Sequence, residues 1–513
     1  MDLPAAENHA DMMDSKASAT YGEKVSDNAP INPKLDPHGF PLRPQPTSDP
    51  LDPLNWPYWL KLAVLLQVSF LAFLGPFCQA VINSAFVPLA KDLHISVVVA
   101  SYNTTIAILF AGVSPILWSP IANVYGRRPI FLAVSALGIA AQCAAGAAPT
   151  WGGILAARAF VGMGTSAGMG IGAAVVADMF FMHERGRYMG IYIVFVTNGA
   201  HIAAVVGGYT ALNHSLGWRW CYWIPAMILA GTWVLMLFCL PETLYHRDNK
   251  TGESHMHHQQ QRQTHRAWLS LLTFRGVPIK RKLQLWDFTH VFLMLKYPSV
   301  LLSTLYYAVS FGLGSVLFAV TGAKAFGSIY HFNTAQIGLC IGLSTFIGTL
   351  IGELLAGPVS DRILYLSTKR SGGAFRPEAR LQAIWPGALL LPAGVIIEGV
   401  CLQYRTHWSG PVLGIGIGAF GLQIISTNIF AYVTDCYKPQ SAEISTLLNL
   451  GRQTFSFTLG FYMIPFAAAT TWGVAWSVMA VIQAVLFGGV VLLMWRGKEW
   501  RERLGAPEFD RDL

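Results

Sequence analysis

The stretch SPIANVYGRRPIF, Ser119–Phe131, places a glycine and two arginines, Gly126, Arg127 and Arg128, between two long apolar runs, Val97–Ile121 and Pro129–Ala148. Each run has about the 20 residues that an α-helix needs to cross a hydrocarbon core, so the stretch reads as a basic turn at a membrane edge. Further runs of this kind lie upstream at Leu62–Ala85 and downstream at Ile154–Met179, Tyr188–Leu212 and Trp220–Leu240. After a long polar gap come Ser299–Gly322, Ala335–Gly357, Leu381–Leu402, Pro411–Val433, Ile444–Ala469 and Trp472–Trp495. The order is six, a gap, and six. The expected fold is an all-α integral membrane protein with twelve transmembrane helices in two six-helix bundles.

Composition supports this reading. Charged residues make up 12% of the 513, where a soluble domain carries roughly 25%. Hydrophobic residues make up 53%, and the mean hydropathy is +0.44. Most of such a surface has to face lipid. The net charge of +8 forms no basic stripe or helix, so no nucleic-acid partner is expected. The seven cysteines form no CxxC pair and mostly sit inside apolar runs, as small core residues do.

The bounds expected from this pattern are a disordered tail over 1–57, a first bundle over 58–244, a central loop over 245–296, a second bundle over 297–497 and a tail over 498–513. Residues 1–57 contain no apolar segment of signal-peptide type, so the first helix is expected to direct insertion. The central loop holds His255, His257 and His258 beside a glutamine run. It reads as a flexible hydrophilic loop, with no metal and no cofactor expected, and Trp268–Phe274 as an interfacial amphipathic helix. Of 35 Lys and Arg, Arg158 and Arg452 fall within spans. With the N-terminus inside, only Lys91, Arg219, Lys324 and Arg405 lie outside, and the other 29 are cytoplasmic. The opposite topology inverts that ratio against the positive-inside tendency, so both termini and the central loop are expected inside.

The turn has an echo. GPVSDR, Gly357–Arg362, occupies the matching place after span 8, and carries the carboxylate, Asp361, that Asn123 replaces in the first copy. Span 4 carries Arg158, Gly162 and Gly164 in the spacing R-x3-G-x-G. Span 5 carries Gly190, Gly199, Gly207 and Gly208, with Ala203 and Ala204 between them. Together with DPLNWPYWLK at Asp52–Lys61 and RSGGAFRPEARL at Arg370–Leu381, these motifs resemble the major facilitator superfamily, in particular its fungal twelve-span drug:proton antiporters. The resemblance covers roughly residues 52–497. It implies two pseudo-symmetric bundles working by alternating access. Gly126, Arg127, Arg128, Asp361 and Arg362 would form a conformational latch, and Arg158 would assist proton transfer. Gly190, Gly199, Gly207 and Gly208 would form the antiporter-motif helix at the interface between halves. Alanines at 203 and 204 replace that motif's Gly-Pro pair, which removes its source of a kink.

Other polar residues within the spans are candidates for chemistry. His201, with an imidazole that suits proton exchange, and the carboxyls Glu353 and Glu398 join Arg158 as proton-coupling candidates. His201 reads equally as a buried, hydrogen-bonded histidine, and Arg158 as snorkelling toward the outer edge. Gln79, Asn83, Asn198, Tyr306, Tyr307, Gln423 and Asn428 could line a cavity for a weakly polar ligand, or serve as packing contacts between helices. Arg452 with Asn449, and Asp435 with Glu443, read as a charge network at the inner mouth.

No phosphate-binding GxxxxGK[ST] loop, nucleophile elbow or HExxH occurs, so neither ATP drive nor an enzyme activity is expected. The expected function is proton-coupled efflux of a small organic molecule such as a drug, toxin or secondary metabolite. Uptake of a sugar or organic cation and a transporter-like nutrient sensor are the alternatives. LPETLY at Leu240–Tyr245 is closer to the antiporter form than to that of sugar porters. The expected partners are the substrate, protons and the lipid bilayer, for a monomer in the plasma membrane.

Overall fold

The structure, a computed structural model, describes residues 42, 45–47, 49, 52–213, 215–245, 283–370, 376–437, 440–505 and 507. The first half is built from α1 (Tyr58–Asp92), α2 (Val97–Tyr125), α3 (Arg127–Ala147), α4 (Trp151–Met179), α5 (Tyr188–Leu212) and α6 (Trp220–Cys239). The second half contains α7 (Pro298–Ile329), α8 (Thr334–Ser367), α9 (Pro377–Gln403), α10 (Ser409–Cys436), α11 (Ser441–Ala469) and α12 (Trp472–Leu504). Among the described residues eleven of these are both long and apolar enough to span a membrane. The exception, α11, has 29 residues, which gives it a length of roughly 43 Å. Asn449, Arg452 and Gln453 dilute its apolarity, and it packs against α2 and α7.

Local chemistry sets several boundaries. Ser96, Thr150 and Thr471 cap α2, α4 and α12 by accepting from Val99, Gly153 and Val474. α1 is helical to Ala80, breaks, and resumes through a 3-10 turn at Asn83–Ala85. α2 breaks at Ser114, where Pro115 starts a new helical turn. α7 contains a π-turn at Gly312–Val316. α5 has no proline and belongs to one uninterrupted 31-residue helix, Met182–Leu212. The helix of α12 runs seven residues past the expected end of the second bundle, to Leu504. Residues 53–55 form a 3-10 turn capped by Asp52, with Leu54 and Trp56 buried, so this end of the expected tail is ordered against the bundle. The three loop histidines and Trp268–Phe274 lie outside the described residues.

The helices close on one another through small residues. In the first half Gly164 of α4 lies against the backbone of Gly138 in α3; in the second, Gly418 of α10 lies against Gly394 in α9. A Cβ at Gly138, Gly164 or Gly394 would sit on the neighbouring main chain, and one at Gly418 would meet the Phe318 ring; such small residues are how membrane helices pack closely without a hydrophobic driving force. Large apolar side chains such as Phe238, Leu354, Leu389, Leu413, Val485 and Trp495 are exposed, as a lipid-facing surface requires.

Candidate functional site

The two halves meet along α5–α8 and α2–α11. On α5–α8 the contact runs from Thr349 Oγ1, donating to Asn198 Oδ1 at 3.1 Å, to Thr334 Oγ1, donating to Gly208 O at 3.0 Å. Gly338 and Gly342 of α8 rest on the carbonyls of Ala204 and His201. On α2–α11, Tyr102 meets Phe461 with ring centroids 4.6 Å apart, and Asn449 Nδ2 donates to Ala111 O at 3.4 Å. Toward the end that carries Arg127, Arg128, Asp361 and Arg362, called here the basic end, contact is lost. Gly190 of α5 and Gly357 of α8 face open space. A small cavity separates Ser119 and Asn123 of α2 from Ala442, Glu443 and Thr446 of α11, with Asp287 and His290 of the preceding segment between them. The halves are closed at the far end and parted at the basic end.

At the basic end each half is clasped to itself. Gly126 adopts φ +102°, turning the chain so that α3 starts against the other helices. Glu242, after α6, accepts from the backbone N–H groups of Arg127 (3.0 Å) and Arg128 (3.1 Å). The Arg127 guanidinium pairs with Asp178 at the end of α4, 3.0 Å away. In the second half Arg380, at the start of α9, pairs with Asp435 at the end of α10 (2.7 Å) and with Asp361 of α8 (2.8 Å). Arg501 of α12 reaches Glu378 of α9 at 3.1 Å. The triads α3–α4–α6 and α9–α10–α12 are equivalent. Sequence reading found the missing carboxylate at Asn123 but not its substitutes, Asp178 and Glu242, which are distant in sequence. Arg362 is exposed and has no ion-pair partner among the described residues.

Arg158 is fully buried, so it does not snorkel. Its Nε donates to Asn103 O (3.1 Å), and its two terminal nitrogens donate to Cys78 O (2.7 Å) and Gln79 O (2.5 Å). The carbonyls of Cys78 and Gln79 are free because α1 breaks just beyond Ala80, leaving the last turn of that helix without its own donors. Tyr222 of α6 covers the guanidinium at 5.7 Å, and its phenol bonds Asn103. The partners of Arg158 are carbonyls, with no carboxylate among them.

The other candidates divide by location. Glu353 Oε2 accepts from Gln423 (2.5 Å) and Thr427 (2.8 Å) of α10; one turn from Thr349, it lies on the side of α8 that meets the first half. Tyr307 lies nearby, its phenol 3.4 Å from both Ser426 and Arg452. Tyr306 points elsewhere, accepting from Gln483 of α12 at 2.9 Å. Glu398 is buried within the second half, where Trp476 donates to it at 2.7 Å. His201 is buried between halves with Nε2 unpartnered among the described residues. Asn83 accepts from Thr104 at 2.6 Å, Asn428 bonds Ile424 O within its own helix, and Gln79 Nε2 is buried without a partner among the described residues. The expected network at the inner mouth separates: Asp435 belongs to the Arg380 clasp, and Arg452, on Asn449 and Tyr307, lies deeper. Of the antiporter-motif glycines, Gly199 and Gly207 rest on the carbonyls of Phe73 and Val81 in α1, and Gly208 on α8.

Two equivalent clasps at one end and a seal between the halves at the other are the architecture of a multi-pass membrane transporter. The sequence model of the Major Facilitator Superfamily matches residues 68–461, and the chain belongs to that family. Curated relatives include the MFS transporter cpaT of Aspergillus oryzae, 30% identical and covering 77% of this chain and 78% of its own. The efflux pump vrtL of Penicillium aethiopicum is 27% identical over 95% of this chain and 94% of its own. Among solved structures, a bacterial homologue of the lysosomal transporter Spinster, described as inward-facing and unoccupied, aligns with a TM-score of 0.61 at 12% identity, covering 88% of this chain and 100% of that one. The human organic anion transporter MFSD10 aligns with a TM-score of 0.54 at 14% identity, over 85% and 100%. At those identities the likeness is one of fold.

Proposed function

We propose that this transporter exports a small organic molecule in exchange for protons, by alternating access, as a plasma-membrane monomer with both termini in the cytoplasm. The observation that carries the reading is the cleft parted at the basic end and sealed at the other. Given the positive-inside tendency, the basic end is cytoplasmic, so the substrate enters the cleft from the cell interior. The resemblance to an efflux pump along nearly the whole chain supports the same direction.

Glu353 is the group we assign to the coupling proton. It is the candidate carboxyl on the facing surface, and its hydrogen-bond partners, Gln423 and Thr427, are neutral, so both of its protonation states can be accommodated. In the outward-open state it takes a proton from outside; in the inward-open state it releases it and the cleft reloads. Glu398, shut within the second half against Trp476, serves as a structural acid. The test is flux in reconstituted vesicles with imposed pH gradients of either sign. Wild-type flux should follow the gradient, and Glu353→Gln should still exchange substrate at equilibrium while losing uphill transport. Wild-type flux indifferent to the gradient, or uphill transport by Glu353→Gln, sinks the assignment.

A further inference from the structure

Arg452 is a cation deep within the spans that holds no carboxylate among the described residues. Arg127, Arg380 and Arg501 each hold a carboxylate, and Arg158 donates to three carbonyls. Arg452 has neither arrangement. Its Nε and one terminal nitrogen both donate to Asn449 Oδ1, at 3.1 and 2.9 Å, and the other terminal nitrogen is 3.4 Å from the Tyr307 phenol. The face of Phe311 lies 4.5 Å from the guanidinium carbon. A guanidinium has five N–H donors, and no carboxylate among the described residues meets these.

Its place in the fold is near the seam between the halves, one turn along α11 from Asn449, which bonds Ala111 O of α2. At 100° per residue, Arg452 lies nearly opposite Thr454, which is exposed on the outer surface of α11. It lies within electrostatic range of the Tyr192 phenol, which belongs to the other half. Arg452, Tyr307 and Ser426 stand 9 to 11 residues from the basic-end termini of their helices, roughly 14–17 Å in, near the middle of a hydrocarbon core. A fixed charge at that depth is costly and marks a transport pathway when it faces a wet cavity. The fork of the guanidinium matches the two oxygens of a carboxylate. Around it, Phe311 and Phe430 are half-buried aromatic surfaces, the latter edge-on to Tyr307 at 5.4 Å.

We propose that Arg452 is the recognition point for an anionic substrate, a carboxylate carried on a planar apolar body, with the acid on the guanidinium and the body against the aromatic rings. The proposal rests on the transport reading above and narrows its substrate class. Without a bound anion, Asn449 and Tyr307 hold the fork in place, so the site is preorganised.

The test uses the full-length protein in lipid nanodiscs and three probes that share one ring system: 1-naphthoate, 1-naphthamide and 1-naphthylmethylammonium. Calorimetric titration should give at least a tenfold preference for naphthoate over the amide, with the ammonium weakest. Arg452→Gln should bring naphthoate to within about twofold of the amide. Arg452→Lys, which keeps charge but loses the fork, should retain a reduced preference and serves where the Gln variant does not fold. A wild type that favours the amide or ammonium or gives no heat with naphthoate, or an Arg452→Gln protein that keeps the anion preference, overturns the proposal. Vesicle flux with the same probes separates the two readings. Charge-selective binding without flux removes transport and leaves the site, whereas flux indifferent to probe charge removes the site and leaves transport.

Discussion

Arg158 of α4 ties its helix to α1 and α2 through main-chain carbonyls alone, those of Cys78, Gln79 and Asn103. Arg158→Ala would leave three buried carbonyls without this donor, at about 1–3 kcal/mol for each that finds no substitute. We expect a lowered melting temperature in detergent and loss of most coupled flux, with Arg158→Lys intermediate because an ammonium lacks the planar fork. A variant as stable and active as wild type would remove the role assigned to this tie. The position of Arg158 within an apolar run marked it as functional or snorkelling, because a charge at membrane depth is expensive. Its partners were not legible in the same way, since the carbonyls of Cys78 and Gln79 are acceptors only because α1 breaks where it does. Tyr306 and Tyr307 make the converse point. Neighbours in sequence point about 100° apart on a helix, and only packing decided which one reaches Arg452.

Among the elements, α5 permits a controlled comparison. Gly207 lies against the Val81 carbonyl, whereas Gly190, in the same helix and the same motif, has nothing within reach of a Cβ. Gly207→Val should abolish monodisperse elution on size-exclusion chromatography, and Gly190→Val should leave it intact. Equal behaviour would contradict the packing described for α1 and α5. The clasps grade similarly. The Asp361 side chain is 71% exposed and that of Asp435 is 21% exposed, and exposed ion pairs contribute roughly 0–1 kcal/mol. Flux at equal surface expression should fall most for Asp435→Asn, less for Asp361→Asn and least for Asn123→Ala. A reversal of that order would show that the α9–α10 tie is not the central one. The GRR turn and its echo announced these clasps, but Asp178, Glu242 and Arg380 complete them from other helices.

For the whole molecule, transport requires the sealed end to part. Tyr102 and Phe461 bridge the halves there with rings 4.6 Å apart, so replacing both with cysteine and joining them with a short bis-maleimide should stop transport. Reagents should still reach a cysteine placed at Gly190 from the basic end. Continued transport by the cross-linked protein would rule out separation at this contact. Tags in the tails and in residues 246–282 should stay unlabelled by impermeant reagents outside intact cells; labelling there would invert the proposed topology.

The sequence by itself determined the all-helical membrane fold, the two-by-six order and the family. Those depend on properties summed over whole segments: apolar length, basic asymmetry and repeated turns, which survive changes at single positions. The tertiary structure decided which polar residue does what. Glu353 and Glu398 are both lone carboxyls in apolar runs, yet one meets Gln423 and Thr427 beside the cleft and the other meets Trp476 inside a bundle. Arg452 read as part of a network at the mouth and is placed at mid-depth on Asn449 and Tyr307, with no carboxylate partner among the described residues. In a membrane helix every face is apolar enough to meet lipid or protein, so periodicity does not say which side is which. Only the packing of neighbouring helices fixes the rotation, and with it the site.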